Sequence, residues 1–187
     1  MYKGIEIIAE VKTQSPFGFV SNKSWDELFE LADSFGDMIS IHTDKRWGGS
    51  YDLLKKARTL TKKPILAKGI HGNDEEIQRA LDAGADWVLV VGRIPQTQKE
   101  VCLIEPYTLD ELAQIDKNQR VVWNARDLKT GERKVDTFAE ARIRFDGWLC
   151  QASHIKNIDD VHSDAHAVLV GEHLVEFTES IDDRVDT

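Results

Sequence analysis

The chain has 187 residues, room for one domain and little for a second, so residues 1–187 are read as a single unit. With 24 Lys and Arg against 33 Asp and Glu, its formal charge of −9 excludes the broad basic face that nonspecific nucleic-acid or membrane-surface binding needs. No apolar run approaches the length of a membrane span and Met1 leads directly into a strand pattern, which predicts a soluble, cytoplasmic protein.

In chain order, Ile5–Val11 is an apolar run too short for a helix. Ser24 and Glu27 then form a capping box ahead of Trp25, Leu28, Phe29 and Ala32 at helical spacing. Met38–Ile41 is the second run, and Ser50 caps a helix holding Leu53, Leu54 and Ala57. Pro64–Ala67 is the third. Asn73 with Glu76 opens a helix carrying Ile77, Ala80 and Leu81, which stops at Gly84. The fourth and fifth runs, Trp87–Val91 and Val101–Ile104, are separated only by Gly92–Glu100, which includes Pro95. A parallel crossover takes about a dozen residues or more, so the helix there is expected to be lost or reduced to a turn. Thr108 with Glu111 and Thr137 with Glu140 repeat the helix-start signature on either side of Val121–Trp123. Gly147–Cys150 and Ala167–Val170 complete eight runs, and Gly171–Thr187 leaves room for one short helix.

Strands buried on both faces read as continuous apolar runs, and eight of them alternating with helices indicate an α/β protein with a parallel sheet. Eight strands also close a barrel. The expected fold is therefore a shortened (β/α)8 barrel of the TIM type, because such barrels typically run to about 250 residues; an open doubly wound sheet is the alternative. Cys102 and Cys150 lie in apolar runs without partners at metal-ligand spacing and read as reduced core residues.

In such a barrel the chemistry sits where strands end. Those positions are Glu10 and Lys12, Thr43 and Asp44, Lys68, Arg93, Glu105, Asn124 and Arg126, Ser153, and Gly171 with Glu172. Lys12, Lys68 and Arg126 would face one mouth with Glu10 and Glu105, where cations and carboxylates shift one another's pKa values and serve as acid and base. Any one of them alone reads as a solvated rim residue. A coherent set around a ring does not.

These same residues carry a resemblance. Ile8-Ala9-Glu10-Val11-Lys12, followed by Ser15-Pro16, resembles the first-strand motif of indole-3-glycerol phosphate synthase, a barrel of the tryptophan pathway. Thr43-Asp44-Lys45-Arg46-Trp47-Gly48-Gly49-Ser50 is similar to that family's second loop, and Pro64-Ile65-Leu66-Ala67-Lys68 to its third strand. Ala83-Gly84-Ala85-Asp86 resembles the approach to the fourth strand, Asn124-Ala125-Arg126-Asp127-Leu128-Lys129-Thr130 the sixth, and Val168-Leu169-Val170-Gly171-Glu172 the eighth with its phosphate-binding turn.

The resemblance implies ring closure of 1-(2-carboxyphenylamino)-1-deoxyribulose 5-phosphate to indole-3-glycerol phosphate, with loss of CO₂ and water. It implies Lys68 as general acid, Glu105 as general base, and Glu10 and Asn124 as residues orienting the reacting centre. Lys12 would meet the substrate carboxylate, Arg126 would support the network, and Trp47 would stand against the substrate ring, a position also open to ordinary packing. Ser15 belongs to the first motif and is carried as substrate-binding, while Ser153 and the Gly171–Glu172 backbone would hold phosphate. The partner implied is a small anionic phosphorylated substrate; no cofactor and no metal are implied.

The chain departs from the family in places. The first strand begins by Ile5, so the family's N-terminal helical extension is not expected ahead of it; the usual Asp-Phe after Lys68 is Gly69-Ile70, and the seventh-strand Glu-Ser-Gly reads Ala152-Ser153-His154. His154 is either a new phosphate contact or general acid, or a solvated loop residue. The shortened fourth crossover exposes a flank that a second copy could cover, making a homo-oligomer. Three readings stand: a synthase, a barrel that binds an anionic metabolite without turnover, and a lyase or isomerase of another phosphorylated sugar.

Overall fold

The computed structural model describes residues 4–185. Eight strands form a closed, wholly parallel barrel in chain order: β1 (Glu6–Val11), β2 (Met38–His42), β3 (Ile65–Lys68), β4 (Trp87–Val91), β5 (Cys102–Glu105), β6 (Arg120–Asn124), β7 (Leu149–Ala152) and β8 (Ala167–Val170). The barrel closes where β8 pairs with β1, Leu169 standing opposite Ile8. The open sheet is thereby excluded. β2, β3, β5, β6 and β7 each reach one or two residues further toward the C-terminal end than their apolar runs.

The helices are α1 (Trp25–Phe35), α2 (Tyr51–Leu60), α3 (Asp74–Asp82), α4 (Leu109–Leu112), α5 (Phe138–Arg144) and α6 (Leu174–Val185). Ser24, Ser50, Asn73, Thr108 and Thr137 each cap the following helix by accepting from the backbone N–H three residues on. Each such cap contributes about 1 kcal/mol. The apolar stripes of α1, α2 and α3 bury Phe29, Leu54 and Ile77 against the outward side chains of the strands.

No α-helix joins β4 to β5, only a loop with one 3-10 turn at Lys99–Val101. The Asp74 carboxylate organises this loop, accepting from Gln96 N, Thr97 N and Thr97 Oγ1 while it pairs with Arg93 Nη1 at 2.6 Å. Those contacts, the Arg93 hydrogen bond foremost, hold its carboxyl at about 2. An apolar groove lined by Ile94, Ile104, Pro106 and Ile115 lies beside this loop. β7 and β8 are also joined without an α-helix, by a 3-10 turn at Ile158–Asp160.

Alternation along each strand decides what fills the barrel. Ile8, Met38, Leu66, Leu89, Leu103, Val122, Cys150 and Leu169 meet inside it, both Cys150 and Cys102 remaining free and buried. At the N-terminal end the guanidinium of Arg120 lies between Trp87 and Trp148, 4.4 and 4.8 Å from their ring centroids. At the other end the same alternation sets the site.

Candidate active site

Two residues beyond five of the inward apolar side chains comes a polar one. Ile8 is followed by Glu10 and Lys12, Met38 by Ser40 and His42, Leu66 by Lys68, Leu103 by Glu105, and Val122 by Asn124. The barrel's last interior layer is therefore largely polar and charged, with β4 contributing Val91 and β7 only the methyl of Ala152.

Glu10 stands at the centre, 2 % exposed. Its Oε2 accepts from Lys68 Nζ at 2.8 Å, and its Oε1 lies 2.6 Å from His42 Nε2. Burial works against the charge on Glu10, yet Lys68, His42 and Lys12 together hold its carboxyl well below the ordinary carboxylate range. Gly171 lets the turn after β8 pass this close: a Cβ there would come 2.4 Å from Glu10 Oε2.

Glu105 is the opposite case. It is equally buried, and neither carboxylate oxygen has a hydrogen-bond partner. Burial pushes its carboxyl up, and the opposing pull of the Lys68 ammonium does not cancel it. Two carboxylates in one mouth are thus driven in opposite directions, the pattern that separates a charged orienting group from a group able to take up a proton.

Around them, Asn124 Oδ1 accepts from the Arg126 N–H at 2.9 Å and from the Ser153 hydroxyl at 2.6 Å. Glu172 Oε2 lies 3.0 Å from Arg126 Nη2 and 3.8 Å from Lys12 Nζ. Burial draws the Lys12 ammonium down from its usual value despite Glu10 and Glu172 beside it. The loop after β1 folds over this cluster, with the Phe17 ring 5.6 Å from the Arg126 guanidinium and Phe19 5.8 Å from Lys12 Nζ.

The mouth has two adjoining lobes that share Lys12, Lys68, Arg126 and Ser153. The first is polar, walled by Ser153, His154, Gly171, Glu172 and His173. The second is walled by Trp47, Ile70, Leu89, Val91 and Leu128, with Glu105 and Asn124 on its floor. Trp47 is buried, its indole stacked on the His42 ring. Ser153 and His154 both have left-handed backbones, φ +70° and +58°, a region that costs a residue with a Cβ about 1 kcal/mol or more. His154 Nε2 is buried without a partner.

Of the residues singled out in the sequence, Ser15 stays outside both lobes, its hydroxyl accepting from Phe17 N and Phe19 N within the first loop. Arg93 turns away to Asp74, and Asp44 caps a 3-10 turn at Lys45–Trp47. The apolar run of β2 stops at Ile41, so composition alone does not point to His42. Continuing the two-residue alternation from Met38 finds it. Among the described residues, no three His, Cys, Asp or Glu side chains gather as metal ligands, and no helix is long and apolar enough to cross a membrane.

The closed parallel barrel defines a (β/α)8-barrel protein, and its charged C-terminal mouth is the candidate site, at the end where barrel enzymes carry theirs. Within that class the chain belongs to the indole-3-glycerol phosphate synthase family, whose model matches residues 2–183. It is 32 % identical to the indole-3-glycerol phosphate synthase of Kineococcus radiotolerans, over 92 % of this chain and 72 % of the relative. It is 34 % identical to that of Sulfurisphaera tokodaii over 54 % of this chain, and 32 % identical to that of Picrophilus torridus over 79 %. These two matches span 42 % and 66 % of the relatives' lengths. A crystal structure of 3-hexulose-6-phosphate synthase superimposes with a TM-score of 0.63, covering 92 % of this chain and 100 % of that one at 14 % identity, a likeness of fold.

Proposed function

We propose that this chain closes the indole ring: it takes 1-(2-carboxyphenylamino)-1-deoxyribulose 5-phosphate to indole-3-glycerol phosphate, CO₂ and water. The observation that carries the reading is the division of one mouth into an apolar lobe and a polar lobe with the charged cluster between them. The substrate has the same division. Its aryl ring suits Trp47, Ile70 and Leu128, and its phosphate suits Arg126, the Ser153 hydroxyl and the backbone around Gly171.

In this reading the Lys68 ammonium, held by one oxygen of Glu10, donates a proton to the substrate carbonyl as the ring carbon attacks it. Lys12 neutralises the carboxylate until it leaves as CO₂. Glu105 takes up the C–H proton lost as the hydroxyl, protonated from solvent, departs as water, a role favoured by a carboxyl already pushed up by burial. Asn124 and Glu10 orient the reacting centre. The site would be cytoplasmic by virtue of this biosynthetic role.

A second reading has its own observation. Glu172 lies across Lys12 and Arg126, the two cations an anionic substrate would use, and β7 offers no carboxylate. That arrangement fits a barrel that binds a phosphorylated metabolite without turnover. Incubation with the carboxyphenylamino substrate separates the two: indole fluorescence with matching CO₂ release supports the synthase, whereas thermal stabilisation with no product supports binding alone.

A further inference from the structure

None of these roles uses His42, yet it is the most enclosed histidine in the mouth. It is the last inward position of β2, beside Lys68 in register, and its ring is buried. We propose that His42 is a positioning residue, which pins one oxygen of Glu10 so that the other aims Lys68 at the substrate carbonyl. The proposal rests on the ring-closure reading.

Each oxygen of Glu10 has one partner, His42 Nε2 at 2.6 Å and Lys68 Nζ at 2.8 Å. With Glu10 ionised, the ring must donate through Nε2. The ring is braced on one face. Trp47 stacks on it with centroids 5.5 Å apart and planes 2° from parallel. Burial keeps the ring neutral at ordinary pH, its pKa drawn down to about 4 although Glu10 raises it; Lys68 and Lys12 push the same way as burial.

One feature marks this as more than packing. Neutral His42 leaves Nδ1 buried and unpartnered, which disfavours the fold. A leucine would fill the same space without that cost. What the imidazole alone supplies is a fixed N–H on Glu10. Without it the carboxylate is free to turn and take Lys68 on both oxygens, or to lean toward Lys12, and the ammonium loses its direction.

The test compares His42→Leu with His42→Gln, whose side-chain amide places an N–H near the position of Nε2. In His42→Leu we expect kcat to fall on the order of 10- to 100-fold, the scale of a misaimed catalytic group, with KM within about twofold of wild type. His42→Gln should recover most of kcat. A second readout needs no turnover: the Lys68 ammonium should give a slowly exchanging ¹⁵N signal in wild type and His42→Gln that is lost in His42→Leu. Unchanged kcat in His42→Leu overturns the proposal. If wild type itself makes no product, ring closure fails and the Lys68 signal decides the pinning alone: persistence in His42→Leu overturns it, loss upholds it.

Discussion

Replacing Lys68 by Met isolates the pair on which the mouth is built. The change keeps the aliphatic stem and removes the ammonium, leaving Glu10, 2 % exposed, with neutral His42 as its only direct partner among the described residues. Breaking a buried ion pair from one side costs about 3–5 kcal/mol. The Lys68 side chain is 14 % exposed and Glu10 can take up a proton, so the low end, about 3 kcal/mol at pH 7, is expected. For a domain of this size that is roughly 6–12 °C in Tm.

The pH dependence has a definite sign. In wild type Glu10 is held below its unfolded value, so its stabilisation is present above about pH 4.3 and lost as pH falls through the folded pKa. In Lys68→Met the folded pKa rises, so the deficit measured by urea denaturation should shrink between pH 7 and pH 5. Combining the change with Glu10→Gln should recover a coupling of about 2 kcal/mol. A Lys68→Met protein within about 0.5 kcal/mol of wild type at both pH values, additive with Glu10→Gln, would refute the reasoning.

Glu105→Gln removes a buried charge with no hydrogen-bond partner, so urea denaturation should show equal or greater stability at pH 8, by up to about 1 kcal/mol, while turnover falls about 10²- to 10⁴-fold. Because the folded pKa of Glu105 is raised, its contribution favours the fold at low pH and is lost as pH rises through that value; the variant should flatten this slope. Gly171→Ala drives a methyl to within 2.4 Å of Glu10 Oε2, so a loss of about 1–3 kcal/mol together with reduced kcat is expected; wild-type stability and rate would show that the turn yields freely. His154→Gly relieves a left-handed backbone, and after the glycine's own entropy a net gain of about 0.5 kcal/mol should appear in thermal melts; a clear loss would mean that the imidazole itself stabilises the loop.

Much of this architecture is legible in the residues because local signals agreed with tertiary ones. The five caps at Ser24, Ser50, Asn73, Thr108 and Thr137 are side chains answering orphan N–H groups, a short-range interaction that sequence displays directly. The missing β4–β5 helix is legible as spacing, since Gly92–Glu100 cannot hold a full crossover. The β7–β8 connection is less legible, because its segment is long enough for a helix yet holds only a 3-10 turn at Ile158–Asp160, capped by Asn157. The charged ring is legible as strand ends. Its internal pairing is not: that Glu10 takes His42 and Lys68, while Glu105 takes neither, depends on barrel register.

The measurement that bears most directly on the account is kcat/KM for indole-3-glycerol phosphate formation, by fluorescence, in wild type and Lys68→Ala side by side. Turnover in wild type that drops at least about 10²-fold in Lys68→Ala, with the fold intact by circular dichroism, is the predicted result. Equal rates in the two proteins, or no product from a wild type that binds the substrate, would contradict it.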